Sequence, residues 1–219
     1  MDDIYALGRQ LHEGHSQLGW WDSCHDPNAP ESRRWFLTGS AGDDVWNNLR
    51  INHLLIPGAN VVNVGVGTGR CTHRLVERSC NVWAVDISEK ALAKVSHLVR
   101  ATHTPDALSS LPQNFINVAI SNLVTQHITN QQLKEQIAAI IKSLAHDGVY
   151  AMQFAYSLEG RFKTPTEDLV SLKGGGVFRS VGFMEQIVCE CGGELTDAFH
   201  LGKWPEHGCG WYGIHIRKG

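Results

Sequence analysis

The sequence predicts an α/β chain, a doubly wound and mostly parallel sheet with helices on both faces. Three observations carry this. Apolar, valine-rich runs closed by glycine alternate with stretches of helical periodicity, the pattern of parallel strands joined by crossover helices. The length, 219 residues, suits one domain with a full hydrophobic core. Third, "NVGVGTGR" at residues 63–70 sets glycines at alternate positions directly after a strand-like run. Ligands bind beyond the carboxyl ends of strands in such sheets.

Each element follows in order. Residues 1–42 are polar and weakly periodic, with tryptophans at Trp20, Trp21 and Trp35, and predict a helical extension with loops. "DDVWNNLRINHLLIPG" spaces Val45, Trp46, Leu49 and Leu54 as a helix ended by Pro-Gly. "NVVNVGVG" is a buried strand, "RCTHRLVERS" a short helix and "CNVWAVD" a second strand. "SEKALAKVSHLV" is a helix capped by Ser88, with Leu92, Val95 and Val99 on one face. "FINVAISNLV" is a further strand. "TNQQLKEQIAAIIKSLAHDG" carries a capping box of Thr129 and Gln132, a stripe of Leu133, Ile137, Ile140 and Leu144, and a stop at Gly148. "GVYAMQFAYS" is again a strand. Residues 157–179 predict an irregular insertion hinged at Gly174, Gly175 and Gly176. A helix over 180–191 and two terminal strands complete the chain. The expected organisation is a single domain: an extension or lid over 1–42, a ligand-binding core over 43–156, and a substrate-side insertion with C-terminal strands over 157–219.

Composition excludes several classes. The hydrophobic share is 42% and the charged share 19%, with a formal net charge of -3 and no basic run. A nucleic-acid partner is therefore not expected. The first residues lack the basic start and apolar middle of a secretory signal, and the apolar runs are too short to cross a bilayer. A cytoplasmic protein with no membrane partner is the expectation. The six cysteines include one C-x-C at Cys189 and no C-x-x-C, and the 12 histidines are scattered. Free, mostly buried thiols and no metal site follow.

The glycine spacing selects among nucleotide ligands. A dinucleotide fingerprint needs G-x-G-x-x-G, but its third glycine would fall on Arg70 or on Thr72. A phosphate-binding P-loop needs Gly-Lys-Ser/Thr, which is missing. "VVNVGVGTGR" followed by "VWAVDIS" instead resembles the first two motifs of class I S-adenosylmethionine-dependent methyltransferases, over residues 45–155. The resemblance implies a Rossmann-like, seven-stranded sheet with an antiparallel last strand. It also implies S-adenosylmethionine as cofactor and S-adenosylhomocysteine as product. In that family the backbone of Gly65, Val66, Gly67, Thr68 and Gly69 approaches the cofactor. Asp86 would accept hydrogen bonds from both ribose hydroxyls, with Ile87 beside it, and an ionised carboxylate is acceptor-only. A helix-flanking acid near Ser88 is the alternative for Asp86. Asp106 and the N–H of Ala107 would meet the adenine, and the backbone at Ser121 and Asn122 the methionine moiety. Two positions depart from the pattern: Asn63 and Asn117 stand where the family carries acids, which predicts modest cofactor affinity.

Methyl transfer relies on holding an acceptor in line with the methyl group. An oxygen or nitrogen acceptor must also lose a proton, and His127, just past the fourth strand, is the candidate base. Fixing the loop by hydrogen bonding is its other reading. The N/D-P-P-Y/F run of nucleobase amino-methylating enzymes, the Pro-Cys pair of carbon-methylating RNA enzymes and the clustered acids of catechol-type enzymes are all missing. The remaining acceptor is a small molecule: a natural product, saccharide or lipid precursor. Trp20 and Trp21 are candidates for the acceptor pocket, closing with Trp35 and Phe36 as a lid or packing on core helices. Arg33, Arg34, Arg161 and Lys163 either pair with an anionic substrate or stay solvated. A non-catalytic S-adenosylmethionine-binding module or partner subunit is the rival reading. The sequence sets neither the acceptor atom nor the oligomeric state.

Overall fold

The computed structural model describes residues 2–26, 28, 43–158, 169–171 and 176–219. Valine-rich runs make the sheet's centre, because branched side chains on both faces demand cover from both sides. The strands are β1 (Asn60–Val64), β2 (Asn81–Val85), β3 (Ala101–His103), β4 (Ile116–Ser121), β5 (Leu144–Ser157), β8 (Gly193–Trp204) and β9 (Cys209–Lys218). They form one seven-stranded sheet in the order β3-β2-β1-β4-β5-β9-β8. Pairs among β1 to β5 are parallel, and the last strand, β9, runs antiparallel to both of its neighbours. A separate antiparallel pair joins β6 (Leu169–Ser171) and β7 (Gly176–Phe178).

The helices are α1 (Asp2–His12), α2 (Leu18–Ser23), α3 (Asp43–Asn48), α4 (Arg70–Glu77), α5 (Glu89–Val95), α6 (Asn130–Ser143) and α7 (Val181–Glu190). One sheet face, with Val62, Val64, Ala119 and Met152, packs on Leu133, Ile137 and Ile140 of α6 and Met184 and Ile187 of α7. The other, with Val61, Val118 and Ile120, packs on Trp46 of α3, Leu49 and Leu75 of α4. This is the expected double winding. Among the described residues no helix is long and apolar enough to cross a membrane.

Three boundaries differ from expectation. The helix expected from Asp43 breaks after α3, where Arg50 takes φ +57 and a 3-10 turn (Asn52–Leu54) follows. Leu49 and Ile51 are both fully buried, and residues two apart on a helix face opposite ways. The strong helix ends at Ser143 rather than at Gly148, because Leu144 pairs with Ile116 and opens β5. Gly148 serves another purpose: a Cβ there would lie 2.6 Å from the Ile116 carbonyl, at a register shift between the strands. The helix capped by Ser88 stops at Val95, and Val99 packs from beyond its end.

One feature of register positions the site. Ser121 at the end of β4 pairs with Met152, yet β5 continues to Ser157 alongside β9. The sheet therefore rises as a wall past the carboxyl ends of β1 and β4.

Candidate functional site

The glycine loop lies between β1 and α4. Gly65, Gly67 and Gly69 all take positive φ, +80, +54 and +88, which side chains with a Cβ disfavour. Their reasons differ. A Cβ on Gly65 would collide with the Val124 side chain, and one on Gly69 would sit 2.8 Å from Val95 Cγ1. At Gly67 a Cβ would meet no atom of the described residues within 4 Å. Two glycines thus answer to the protein's own packing, while the third leaves space outside it. Val66 is buried and Thr68 half-buried between them.

Asp86 follows β2 and reaches back to this loop. Its Oδ2 accepts the Gly67 N–H at 2.9 Å and its Oδ1 the Ser88 N–H at 2.9 Å. The helix-flanking role and the loop-facing role are therefore both present. Burial raises the carboxyl's pKa, opposed by the N–H donors of Gly67, Ser88 and Val66. Three N–H donors leave the carboxylate with lone-pair capacity for a ligand hydroxyl.

Beside Asp86 opens a cavity of about 360 Å³ lined by Leu18, Asp22, Ile87, Glu89, Thr104, Pro105 and Asp106. Ile87 is 39% exposed there, unusual for an isoleucine beside a sheet. The carboxyl of the solvent-facing Asp106 lies below its ordinary pKa, held there first by the Thr104 hydroxyl. Ala107 departs from expectation: its N–H is donated to the Thr104 carbonyl at 2.9 Å within a 3-10 turn, not turned toward a ring.

On the other side of β1, the chain leaves β4 at Ser121, which is fully buried, and passes the half-buried Asn122. Leu123 takes φ +59 and is 44% exposed. A 3-10 turn (Thr125–His127) follows. The His127 ring has Nε2 3.1 Å from Gln126 Nε2, and Trp21 stands edge-on to it with centroids 4.9 Å apart. Trp20 is placed differently, buried against Leu7 and Cys24 within the N-terminal helices. The two rings touch edge to face with centroids 4.6 Å apart, so Trp21 bridges from this cluster to His127 while Trp20 stays buried within it. Trp35, Phe36, Arg33, Arg34, Arg161, Lys163, Gly174 and Gly175 lie outside the described residues.

Sequence reasoning missed four contributors. Asp22 of α2 accepts the Ser88 hydroxyl at 2.6 Å, and His25 Nδ1 lies 2.8 Å from Lys94 Nζ, so α2 is tied to α5. Burial and the Lys94 charge lower the His25 pKa to about 4, so this ring is a neutral acceptor at ordinary pH. Arg179, after β7, is fully buried and bonds the turn that carries His127. Gln153 on β5 offers its carbonyl to the Thr125 hydroxyl at 2.7 Å. None of these has a local motif; each acts across a long stretch of chain.

The two departures from the motif separate as well. Asn63 is buried beneath the loop, its Nδ2 donating to Thr72 Oγ1 at 2.9 Å. Asn117 lies at the start of β4, the end of the sheet away from the loop, and accepts the Asn60 N–H at 2.8 Å. It keeps the acceptor an aspartate would supply and bears on the strand start, not on the site. Among the described residues no three metal-ligating side chains cluster.

Residues 61–148 match the family model for a methyltransferase domain. No curated protein sequence matches the chain. Solved structures similar to it include the 1,6-didemethyltoxoflavin N1-methyltransferase of Burkholderia thailandensis, bound to its substrate and S-adenosylhomocysteine. That pair has 18% identity and a TM-score of 0.61, covering 86% of this chain and 83% of that one. The magnesium protoporphyrin IX methyltransferase of Synechocystis, with S-adenosylhomocysteine, has 14% identity and a TM-score of 0.59, covering 99% and 100%. The [4+2]-cyclase SpnF has 15% identity and a TM-score of 0.62, covering 78% and 81%. At such identities the likeness is one of fold.

Proposed function

We propose, from the premise that residues 61–148 are a methyltransferase domain on the class I fold, that this chain moves a methyl group from S-adenosylmethionine to an oxygen or nitrogen of a small acceptor. The observation that supports it best is the cradle at Gly67. No described residue occupies the space a Cβ would fill, and Asp86 faces the same backbone N–H. A nucleoside fits that arrangement, with its ribose hydroxyls on Asp86 and its base toward the cavity lined by Ile87, Thr104 and Asp106. A sulfonium supplies an activated methyl and a neutral thioether leaving group. The chain's own work is then to hold the acceptor in line, exclude water and take one proton. Trp21 and the wall of β5 and β9 bound the side where an acceptor enters. His127 Nε2 or Nδ1 takes the proton as the acceptor's lone pair forms its bond to carbon.

The cyclase among the similar structures carries other chemistry on this fold, so binding and turnover need separate tests. Titration calorimetry with S-adenosylhomocysteine, against nicotinamide dinucleotides as control, tests the cofactor. Binding of the dinucleotide and not of the homocysteine product overturns the reading. Release of S-adenosylhomocysteine over a panel of small acceptors, starting with planar nitrogen heterocycles of the kind named for the two methyltransferases above, tests turnover. Binding without release on any acceptor would favour the S-adenosylmethionine-binding module, the reading that Asn63 in place of an acid supports. His127→Gln keeps a hydrogen-bonding side chain but cannot take a proton at neutral pH. It is expected to lower turnover by roughly 10²–10⁴-fold with S-adenosylhomocysteine affinity unchanged; turnover like the parent makes His127 structural. The protein acts in the cytoplasm on this reading, without nucleic acid or membrane.

A further inference from the structure

We infer that Arg179 is a positioning residue for the methyl-donor end of the site, acting through the loop after β4. The inference rests on the cofactor reading above and adds the residue that holds half of it in place.

Arg179 follows β7, and its backbone N–H donates to the Ala155 carbonyl on β5 at 2.8 Å. Its guanidinium then spans the turn that carries His127. Nη1 donates to the Thr125 carbonyl at 2.6 Å, Nη2 to the Ile128 carbonyl at 2.7 Å and Nε to Asn130 Oδ1 at 2.9 Å. One planar fork thus grips both ends of the turn and the first residue of α6. The same segment is held from below by the Thr125 hydroxyl on the Gln153 carbonyl, and β7 presses on it at Gly176, where a Cβ would collide with the Gln126 carbonyl.

The loop needs such a clamp. Leu123 adopts left-handed φ without being glycine, a conformation that persists only where the surroundings over-determine it. A fully buried guanidinium is also costly to desolvate, and an apolar side chain of similar volume is often no less stable. Filling space does not explain a cation there; fixing the geometry of three acceptors does, since the fork's donors have set directions. The clamped loop touches the glycine loop directly, because Val124 fills the space a Gly65 Cβ would need. Val64 and Ser121 pair side by side just before the two loops diverge. A ligand with its ribose on Asp86 and its base in the cavity beside Ile87 therefore runs its remaining substituent across Gly67 toward Asn122 and His127. Arg179 sets that far end, through its bonds to Thr125, Ile128 and Asn130.

The test separates the ends with two probes, adenosine for one and S-adenosylhomocysteine for both, titrated into the full-length protein. Arg179→Met is expected to weaken S-adenosylhomocysteine at least tenfold and adenosine less than twofold. Arg179→Lys, which keeps the charge but not the fork, is expected to fall between it and the parent. Asn130→Ala removes one partner and leaves the cation in place, with an expected loss of about threefold for S-adenosylhomocysteine only; it decides the matter if both Arg179 variants fail to fold. Equal losses for the two probes, or none for either, in the variants that fold would overturn the inference. Failure of the parent to bind either probe would instead overturn the cofactor reading.

Discussion

The loops after β1 and after β4 sit side by side and are built on opposite principles. The first holds itself. Its three glycines supply the positive φ values, and its partners are Val85 at the end of the neighbouring strand and Asp86 just after it. The second holds no such instructions. Its turn is gripped by Arg179, propped by Gln153, pressed by Gly176 and roofed by Trp21, residues drawn from both ends of the chain. A ligand that bridges the two loops meets one surface fixed by local sequence and one fixed by tertiary contacts.

The largest effect expected from breaking this contrast comes from the glycines themselves. Gly65→Ala drives a methyl group into Val124 in addition to straining φ, and overpacking and strain each cost about 1–3 kcal/mol. Loss of thermal stability, read by calorimetry without ligand, should accompany loss of binding. The Cβ of Gly67→Val meets no atom of the described residues, so backbone strain is the main cost, and the fold should survive with a melting temperature lowered by a few degrees. S-adenosylhomocysteine binding should nonetheless vanish. A Gly67→Val protein that still binds would show that the empty space is not the ligand's.

Next comes Asp86→Ala, which removes a doubly accepting carboxylate from the self-contained loop. Charged hydrogen bonds are worth about 1.5–3 kcal/mol each, so adenosine and S-adenosylhomocysteine should both weaken at least tenfold. That parallel loss is the counterpart of the split expected for Arg179. Unchanged adenosine affinity in this variant would move the ribose elsewhere.

This contrast also explains what could be read from sequence. The strand–glycine–helix unit, the capping box of Thr129 and Gln132 and the acid after β2 are local patterns, and each stands in the structure where its residues predicted it. Asp22, Arg179 and Gln153 carry no periodicity or motif, since their partners lie far away in the chain. The end of α6 at Ser143 differs from the expected stop at Gly148 for a related reason. Leu144 continues the helical stripe, yet its pairing with Ile116 is a tertiary contact that outweighs it. Trp20 and Trp21 are equivalent as a dipeptide; only the fold buries Trp20 and lays Trp21 between it and His127.

A smaller effect is expected from removing the roof. Leu7, Trp20 and Cys24 pack among themselves rather than into the sheet's core, so deleting residues 1–40 should leave a cooperatively folding protein. It loses the Asp22 and His25 ties to α5 and one wall of the cavity. S-adenosylhomocysteine affinity should fall several-fold, and proteolysis of the parent near Trp21 should slow when this ligand is present. Equal cutting with and without ligand would mean that α2 does not respond to occupancy.

The smallest effect is electrostatic and tests the same roof more finely. On the proposed reading Asp86 accepts from ribose hydroxyls, best as a carboxylate, and burial raises its pKa. Affinity for S-adenosylhomocysteine should therefore begin to fall at milder acidity than an ordinary aspartate would give. For the unliganded fold the sign is reversed. A raised folded-state pKa means that stability is full below the unfolded pKa and is lost as pH rises through the folded one. Calorimetry of the free protein should show that small loss while titration shows the gain in binding. The Asp22 carboxylate adds to the upward shift, as the weakest of the causes acting on Asp86. Asp22→Asn removes this like charge and keeps an oxygen for the Ser88 hydroxyl, so the roof stays tied. The midpoint of the affinity–pH curve should move to lower pH with the neutral-pH affinity unchanged. A midpoint that stays put or moves upward would mean that α2 acts on the site through contact alone and contributes no field to it.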